Sequence, residues 1–172
     1  MTPEVVCPGC GLGRPKSDTA VYDGYFHTSP ECWSVFETVI GREFQNGVLF
    51  GAVHQLTVDA YAVQHAGGPH PDKSVGVHLS GLHLALVQGI APVKVAPLIQ
   101  RIASRKPRWP HFEPPEDRGR LTVLVVAQTA DPARHAERAK AWAAAVWAAW
   151  APVHADVAAF VERHLERRLS PA

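Results

Sequence analysis

Hydrophobic residues recur at helical spacing through most of the chain. Between residues 30 and 44 they form one apolar stripe, made of Trp33, Phe36, Val39 and Ile40. A stripe of this spacing predicts an amphipathic helix over 30–44. Thr28 is predicted to cap its start, because Pro30 suits the first helical turn and Glu31 completes a capping box.

Similar periodicity predicts further helices, each closed by a turn or a proline. Gly67-Gly68 ends the second helix and Gly89 ends the third. The short connection between these two helices predicts an antiparallel helical hairpin. Pro97 disturbs the fourth helix, and Asp131-Pro132 starts the fifth. The predicted ranges after the first helix are 48–65, 73–87, 93–104, 131–150 and 153–169.

The remaining segments lack a helical period. Residues 1–27 are rich in glycine and proline and are predicted to form loops. Residues 105–120 contain four prolines and are predicted to form an ordered crossover loop. The β-branched run 121–127 suits a single strand or an extended docking segment. The fold class is therefore mainly α: one domain over 1–172, with a zinc-knuckle region (1–32) and a helical bundle (33–172).

Composition narrows the functional classes. Hydrophobic residues make up 47% of the chain and charged residues 19%, which excludes a disordered chain. The net charge of +1 provides no strong field for nucleic acid or an anionic membrane, so neither is an expected partner. The N-terminus lacks a basic segment followed by an apolar run, which favours a cytoplasmic location. Ten histidines and three cysteines point to metal or proton chemistry.

The cysteines have the spacing of a metal site. Cys7-Pro-Gly-Cys10 is a knuckle in which two thiolates can bind one tetrahedral ion. His27 and Cys32 complete a Cys-x2-Cys-x16-His-x4-Cys set, which is predicted to hold a structural zinc ion. A redox Cys-x-x-Cys pair is disfavoured, because no βαβ pattern surrounds it. An odd number of cysteines also argues against a disulfide framework.

A second set of polar residues lies on the predicted hairpin. His54, Tyr61 and His65 share one face of the second helix. The hairpin register places His54 near His83, and Asp59 and Tyr61 near His78. These facing side chains suit a ligand pocket or a second metal ion, and the alternative is a set of core histidines that hydrogen-bond across helices. The candidate catalytic residues are His54, Asp59, Tyr61, His65, His78 and His83.

The C-terminal helices carry an aromatic stripe. Trp142, Val146 and Trp150 recur every four residues, and Trp147 and His135 lie on the same predicted helix. Core packing is the favoured interpretation. The alternative is a pocket wall against the hairpin, with His135 or His154 adding polar groups.

Several motifs together resemble a known family. The most specific is the run Val58-Asp59-x-Tyr61-x-x-Gln64-His65. The chain is thereby similar to the bacterial domain of unknown function 5946 family, and the resemblance implies a shared fold and site without naming a reaction. The other motifs that carry it are Cys7-Pro-Gly-Cys10-Gly-Leu, Ser29-Pro-Glu-Cys32-Trp33, His78-Leu-x-Gly-Leu and Trp142-Ala-x3-Trp147-x2-Trp150.

Two functions follow as hypotheses. The first is a zinc-binding helical bundle that binds a small molecule or a second metal ion on the hairpin. The second is an enzyme that uses the hairpin histidines in a metal-assisted or general acid–base step. Serine hydrolase, NTPase and dinucleotide-dependent chemistry are disfavoured, because their motifs are absent from the sequence. A homodimer packed through the Trp face is a further expectation.

Overall fold

The computed structural model describes residues 3–165 and confirms a mainly α fold. Within that range, seven α-helices follow a two-stranded hairpin. Strands β1 and β2 span Glu4–Val6 and Gly13–Pro15. The helices are α1 (Pro30–Phe44), α2 (Gly47–Gln64), α3 (Asp72–Leu82), α4 (Pro92–Ala103), α5 (Leu124–Ala127), α6 (Pro132–Ala149) and α7 (His154–Leu165).

The N-terminal region contains a short β-hairpin that the sequence pattern did not predict. β1 and β2 pair antiparallel, with Val5 opposite Arg14. The connection between them is the knuckle, whose turn is closed by a hydrogen bond of 2.9 Å from the Cys7 N–H to the Leu12 carbonyl. Strands of three residues lie below the length at which alternation becomes visible in a sequence. The hairpin presents the first two cysteines at its tip.

Helix α1 has the predicted bounds, but its cap differs by one residue. Ser29 is the N-cap, because its hydroxyl accepts a hydrogen bond from the Cys32 N–H. The prediction of Thr28 as the cap is therefore wrong. The Thr28 hydroxyl lies instead 2.8 Å from the Tyr61 hydroxyl on α2. One side chain thus fixes the helix start, and its neighbour links that start to α2.

Helices α2 and α3 form the predicted antiparallel hairpin. Asp59 on α2 contacts His78 on α3, which is within one residue of the predicted register. Helix α3 ends at Leu82 rather than continuing to 87, because the next turn is π-helical over His83–Val87. Gly89 follows in the left-handed conformation, with φ of 67°. That turn redirects the chain into α4.

Neither of the two structures predicted for 121–127, a single strand or an extended docking segment, is formed. Residues Leu124–Ala127 form one helical turn instead, and Val123 and Val126 are buried at a spacing of three. A lone strand would leave its backbone without partners, whereas a helical turn satisfies part of it internally. Arg138 donates a further hydrogen bond to the Val125 carbonyl. Residues 105–120 lack helix and strand, as predicted.

Helix α2 lies at the centre of the bundle and packs against α1, α3, α4 and α6. The α6 tryptophans contribute to the core as expected, since Trp142, Trp147 and Trp150 are all buried. The indole N–H of Trp142 donates to the Gln64 side chain at 3.0 Å. This contact fixes the end of α2, where the candidate site begins.

The C-terminal helix is described through Leu165, and the part of its predicted range beyond that residue lies outside the described chain. No single helix within 3–165 is long and apolar enough to cross a membrane. One pair of consecutive segments is long and apolar enough only when both are counted together, and a bend of 67° separates them: Pro132–Ala149 and Ala151–Leu165.

Candidate metal centre

Three cysteines and one histidine bring their ligand atoms together. The ligand atoms of Cys7, Cys10, Cys32 and His65 all lie within 4.8 Å of one another. The three cysteines were predicted as ligands, and the structure groups them. His27 was predicted as the fourth ligand, and this prediction is wrong because His65 occupies that position. The His27 ring lies instead against Gly68.

Two distances in this group fit a tetrahedral ion. The Cys10 and Cys32 sulfurs are 3.7 Å apart, and the Cys32 sulfur is 3.5 Å from His65 Nε2. A tetrahedral zinc ion with ordinary bond lengths places two sulfurs about 3.8 Å apart and a sulfur and a nitrogen about 3.5 Å apart. Two edges of the ligand tetrahedron therefore already have the required length.

The backbone orients the His65 ring. Its Nδ1 lies 2.7 Å from the Tyr61 carbonyl, one helical turn earlier, so Nδ1 carries the proton and donates it there. This leaves Nε2 as the lone-pair nitrogen that faces the cysteines. The His65 carbonyl accepts a hydrogen bond of 3.0 Å from the His27 N–H. His27 therefore supports the site through its main chain.

Side chains around the sulfurs complete the support. The Tyr61 hydroxyl donates to the Cys32 sulfur at 3.7 Å, and the Thr28 hydroxyl lies 3.4 Å from the Cys7 sulfur. The Tyr61 ring stacks on both Phe36 and His65, with centroids 4.0 Å away in each case. Cys32 lies in the first turn of α1, where the helix dipole favours a thiolate.

The cysteines and His65 change one another's pKa values. Hydrogen bonds from Cys10 and Cys32 lower the pKa of Cys7 below its ordinary value. Hydrogen bonds to Cys32 and Cys7 raise the pKa of Cys10, and burial raises it further. Burial alone lowers the pKa of His65, but hydrogen bonds to Cys32 and Cys7 outweigh this and raise it to about 9. Three thiolates this close together would repel one another unless a cation lay between them.

Gly9, at the tip of the knuckle, permits the close approach of His65. A Cβ at this position would lie 2.6 Å from the His65 ring and 2.3 Å from the His27 carbonyl oxygen. We therefore expect Gly9→Ala to weaken metal binding by about tenfold or more, because overpacking of this kind costs about 1–3 kcal/mol. Competition with a chromophoric chelator measures the affinity.

Gly41→Ala is the matched control for this substitution. Gly41 lies inside α1, and a Cβ there would meet no atom within 4 Å. Its affinity for the ion should equal that of the unaltered chain, and its helix should gain stability. Equal affinities for Gly9→Ala and Gly41→Ala would refute the close packing of the knuckle on His65.

The predicted His54–His83 pairing is not formed. His54 Nδ1 lies instead 2.8 Å from the carboxylate of Glu43, at the end of α1. The same carboxylate accepts hydrogen bonds from Thr57 at 2.6 Å and from His135 at 2.9 Å. Glu43 is fully buried, so this Glu43 network joins α1, α2 and α6 through one acidic group.

The predicted Asp59–His78 contact is formed. His78 Nδ1 lies 2.7 Å from Asp59, and the Gln55 amide donates to the same oxygen at 2.8 Å. Burial raises the pKa of Asp59, although its hydrogen bond to His78 opposes this shift. The carboxylate orients the His78 ring through this hydrogen bond.

The other candidate catalytic residues lie in separate places. Tyr61 and His65 belong to the metal centre rather than to the Asp59–His78 pair. His83 lies on the π-helical turn, where its Nε2 is 3.2 Å from the Gln88 amide. The six residues predicted on the hairpin thus divide between the metal centre, two carboxylate networks and the π-helical turn. Their catalytic roles stay predictions.

Two buried polar residues, Glu43 and Gln64, were not predicted to have a role. Glu43 lies seven residues after Phe36 and four after Val39, on the buried face of α1, and an acidic residue at such a position is a readable signal. Gln64 donates to the carbonyls of Arg118 and Leu121 and thereby anchors the Pro-rich segment to α2. Gln64 belongs to the motif shared with the family, but its role could not be predicted from the local pattern because its partners are distant in sequence.

Comparison with known proteins gives a family and no activity. No curated protein matches the chain, and no solved structure matches it. Residues 5–151 match the family described as "Family of unknown function (DUF5946)". The matched range contains all four residues of the metal centre and confirms the resemblance drawn from the motifs. The chain therefore belongs to the DUF5946 family.

Proposed function

We propose that this protein binds one zinc ion through Cys7, Cys10, Cys32 and His65, and that the ion is structural. The observation that carries the proposal is that two distances between ligand atoms, 3.7 Å and 3.5 Å, match the edges of a zinc tetrahedron. Three thiolates and one imidazole are a donor set that suits zinc better than the oxygen-preferring ions.

The closed donor set supports a structural role. A catalytic zinc ion keeps one position for water or substrate, whereas four protein ligands fill the tetrahedron. Cys7 and Cys32 are buried, and His65 is fully enclosed between Tyr61 and the knuckle. Zinc would neutralise the thiolates and fix the distance between the knuckle and the two helices that supply the other ligands.

The N-terminal region has little other source of stability. Between residues 3 and 29, Cys7 and Leu12 are the only buried apolar side chains. Binding of a structural zinc ion releases roughly 10–16 kcal/mol in small zinc domains, more than such a core can provide. Metal binding would therefore hold this region on α1 and α2.

Metal analysis of the purified full chain tests the proposal. We expect one zinc equivalent per chain, and we expect Cys32→Ser to lose it. Removal of the ion by a chelator should expose all three thiols to a thiol reagent that reacts slowly with the loaded protein. A folded chain that binds no zinc would refute the proposal, and two tightly bound equivalents would refute a single site.

A further inference from the structure

A cavity of about 410 Å³ lies beside the metal centre. Four segments form its walls: the residues just before α1, the connection between α2 and α3, the first turn of α3, and the Pro-rich segment. Its volume is that of a site for a small molecule. The titratable residues in its walls are His27, His70, Asp72, His111, Glu113 and Arg118.

Arg118 is the one wall residue with an uncompensated permanent charge. Its guanidinium is half-buried and donates through Nη1 to the Ala66 carbonyl at 3.1 Å and more weakly to the Gln64 carbonyl at 3.4 Å. Burial lowers the pKa of Arg118. Within residues 3–165 no carboxylate lies within 4.0 Å of this guanidinium. A half-buried guanidinium has five donors and ordinarily pairs with an anion.

The two carboxylates in the cavity wall are already engaged elsewhere. His111 lies between them, with Nδ1 2.7 Å from Asp72 and Nε2 3.1 Å from Glu113. These hydrogen bonds raise the pKa of His111, which favours an imidazolium between two acids. Glu113 therefore acts on Arg118 only through space, and an external anion can still bind the guanidinium.

Two further imidazoles lie in the same walls. His70 is buried and packs edge-on against Phe26, and its Nε2 lies 2.8 Å from the Ser74 hydroxyl. His27 packs over Gly68, whose positive φ keeps the connection close to the ring. Imidazole groups can hydrogen-bond an anion beside a guanidinium without adding a competing acid.

We propose that this cavity binds a small molecule through an anionic group, a carboxylate or a phosphate, with Arg118 as the charged anchor. The proposal goes beyond zinc binding, because none of the metal ligands lines the cavity. The proposal also accounts for the Pro-rich segment. Its prolines restrict the backbone and place His111, Glu113 and Arg118 beside the α2–α3 connection.

Titration of the isotope-labelled, metal-loaded full chain tests the proposal. Amide chemical shifts are followed by NMR during addition of inorganic phosphate and, separately, of succinate, with sodium chloride as the ionic-strength control. We expect saturable shifts confined to residue 27 and to residues 67–75 and 111–118. Arg118→Gln should weaken binding about tenfold or more, because charge-assisted hydrogen bonds contribute about 1.5–3 kcal/mol. Arg120→Gln, an exposed neighbour, should leave it unchanged.

Saturation by phosphate alone assigns a phosphate ligand, saturation by succinate alone assigns a carboxylate ligand, and saturation by both supports the shared chemistry. Shifts that never saturate, or that centre on the basic cluster of Arg101, Arg105, Lys106 and Arg108, would overturn the proposal. Equal affinities for the two variants would do so as well. If Arg118→Gln loses its metal or its fold, the test rests on the unaltered chain. Saturable shifts around the cavity then support the proposal, and shifts elsewhere overturn it.

Discussion

Replacing His65 by glutamine should abolish tight zinc binding, whereas the same replacement at His27 should leave it intact. His65 Nε2 lies 3.5 Å from the Cys32 sulfur and is held there by the hydrogen bond from Nδ1 to the Tyr61 carbonyl. Mutation of a residue that only hydrogen-bonds to a metal ligand typically lowers metal affinity about 10–100-fold. We therefore expect loss of the ligand itself to lower zinc affinity by more than about 100-fold.

His27→Gln is the matched control, because it removes an imidazole of the same region. His27 supports the site through its backbone N–H, which donates to the His65 carbonyl and survives the substitution. Its ring lies over Gly68, outside the ligand group. Zinc affinity is measured by chelator competition on both variants, together with thermal unfolding in excess zinc and in chelator.

The two variants separate the two ligand sets directly. His65→Gln should unfold at the same temperature with or without zinc, because a site that binds no ion gains no stability from it. His27→Gln should keep the zinc-dependent stabilisation. The reverse outcome is that His27→Gln loses zinc and His65→Gln retains it. This result would establish the local Cys-x2-Cys-x16-His-x4-Cys residues as the ligands instead.

The fourth residue of the ligand group is His65 and not the predicted His27, which shows how far residue spacing can predict a metal site. The three cysteines were identified because Cys7 and Cys10 lie in one turn and Cys32 follows at a common metal-site distance. His65 lies 33 positions beyond Cys32 and is joined to it only by the packing of α2 on α1. The spacing therefore favoured His27, which is close to the cysteines in sequence, over His65, which only the fold brings near them.

Local patterns were informative wherever the determining contacts are local. Helix α1 begins and ends at the predicted residues, and the short Gly-Pro connection fixed the hairpin register closely enough to place Asp59 beside His78. The run 121–127 failed for the opposite reason. Its β-branched residues favour a strand, but no described strand is available to pair with it, and burial of Val123 and Val126 favoured a helical turn.

The His54–His83 pairing failed because a stronger partner was overlooked. Helical geometry placed His54 level with His83, but Glu43 approaches His54 from α1 and takes its Nδ1 hydrogen bond. A buried carboxylate needs hydrogen-bond donors, and here donors on two neighbouring helices, α2 and α6, supply them. Patterns of single helices cannot show which of several neighbours meets that need.

The Glu43 network predicts a large loss of stability without loss of zinc. Glu43→Ala would leave His54, Thr57 and His135 without their acceptor, and Thr57 and His135 are buried. Breaking a buried charged network by removing one member costs about 3–5 kcal/mol. We therefore expect the urea midpoint of the zinc-loaded chain to fall strongly, with the metal content still one ion per chain.

Two variants identify the network as the cause. Glu37→Ala removes an exposed carboxylate from the same helix and should leave the midpoint unchanged, because Glu37 has no buried donors to abandon. Glu43→Gln keeps an acceptor oxygen but loses the charge and the second acceptor, so its midpoint should lie between those of Glu43→Ala and the unaltered chain. Equal midpoints for Glu43→Ala and Glu37→Ala would mean that α1, α2 and α6 are held together by apolar packing alone. The predicted order would instead make Glu43 the polar junction of the bundle, independent of the zinc ion that we propose holds the N-terminal region.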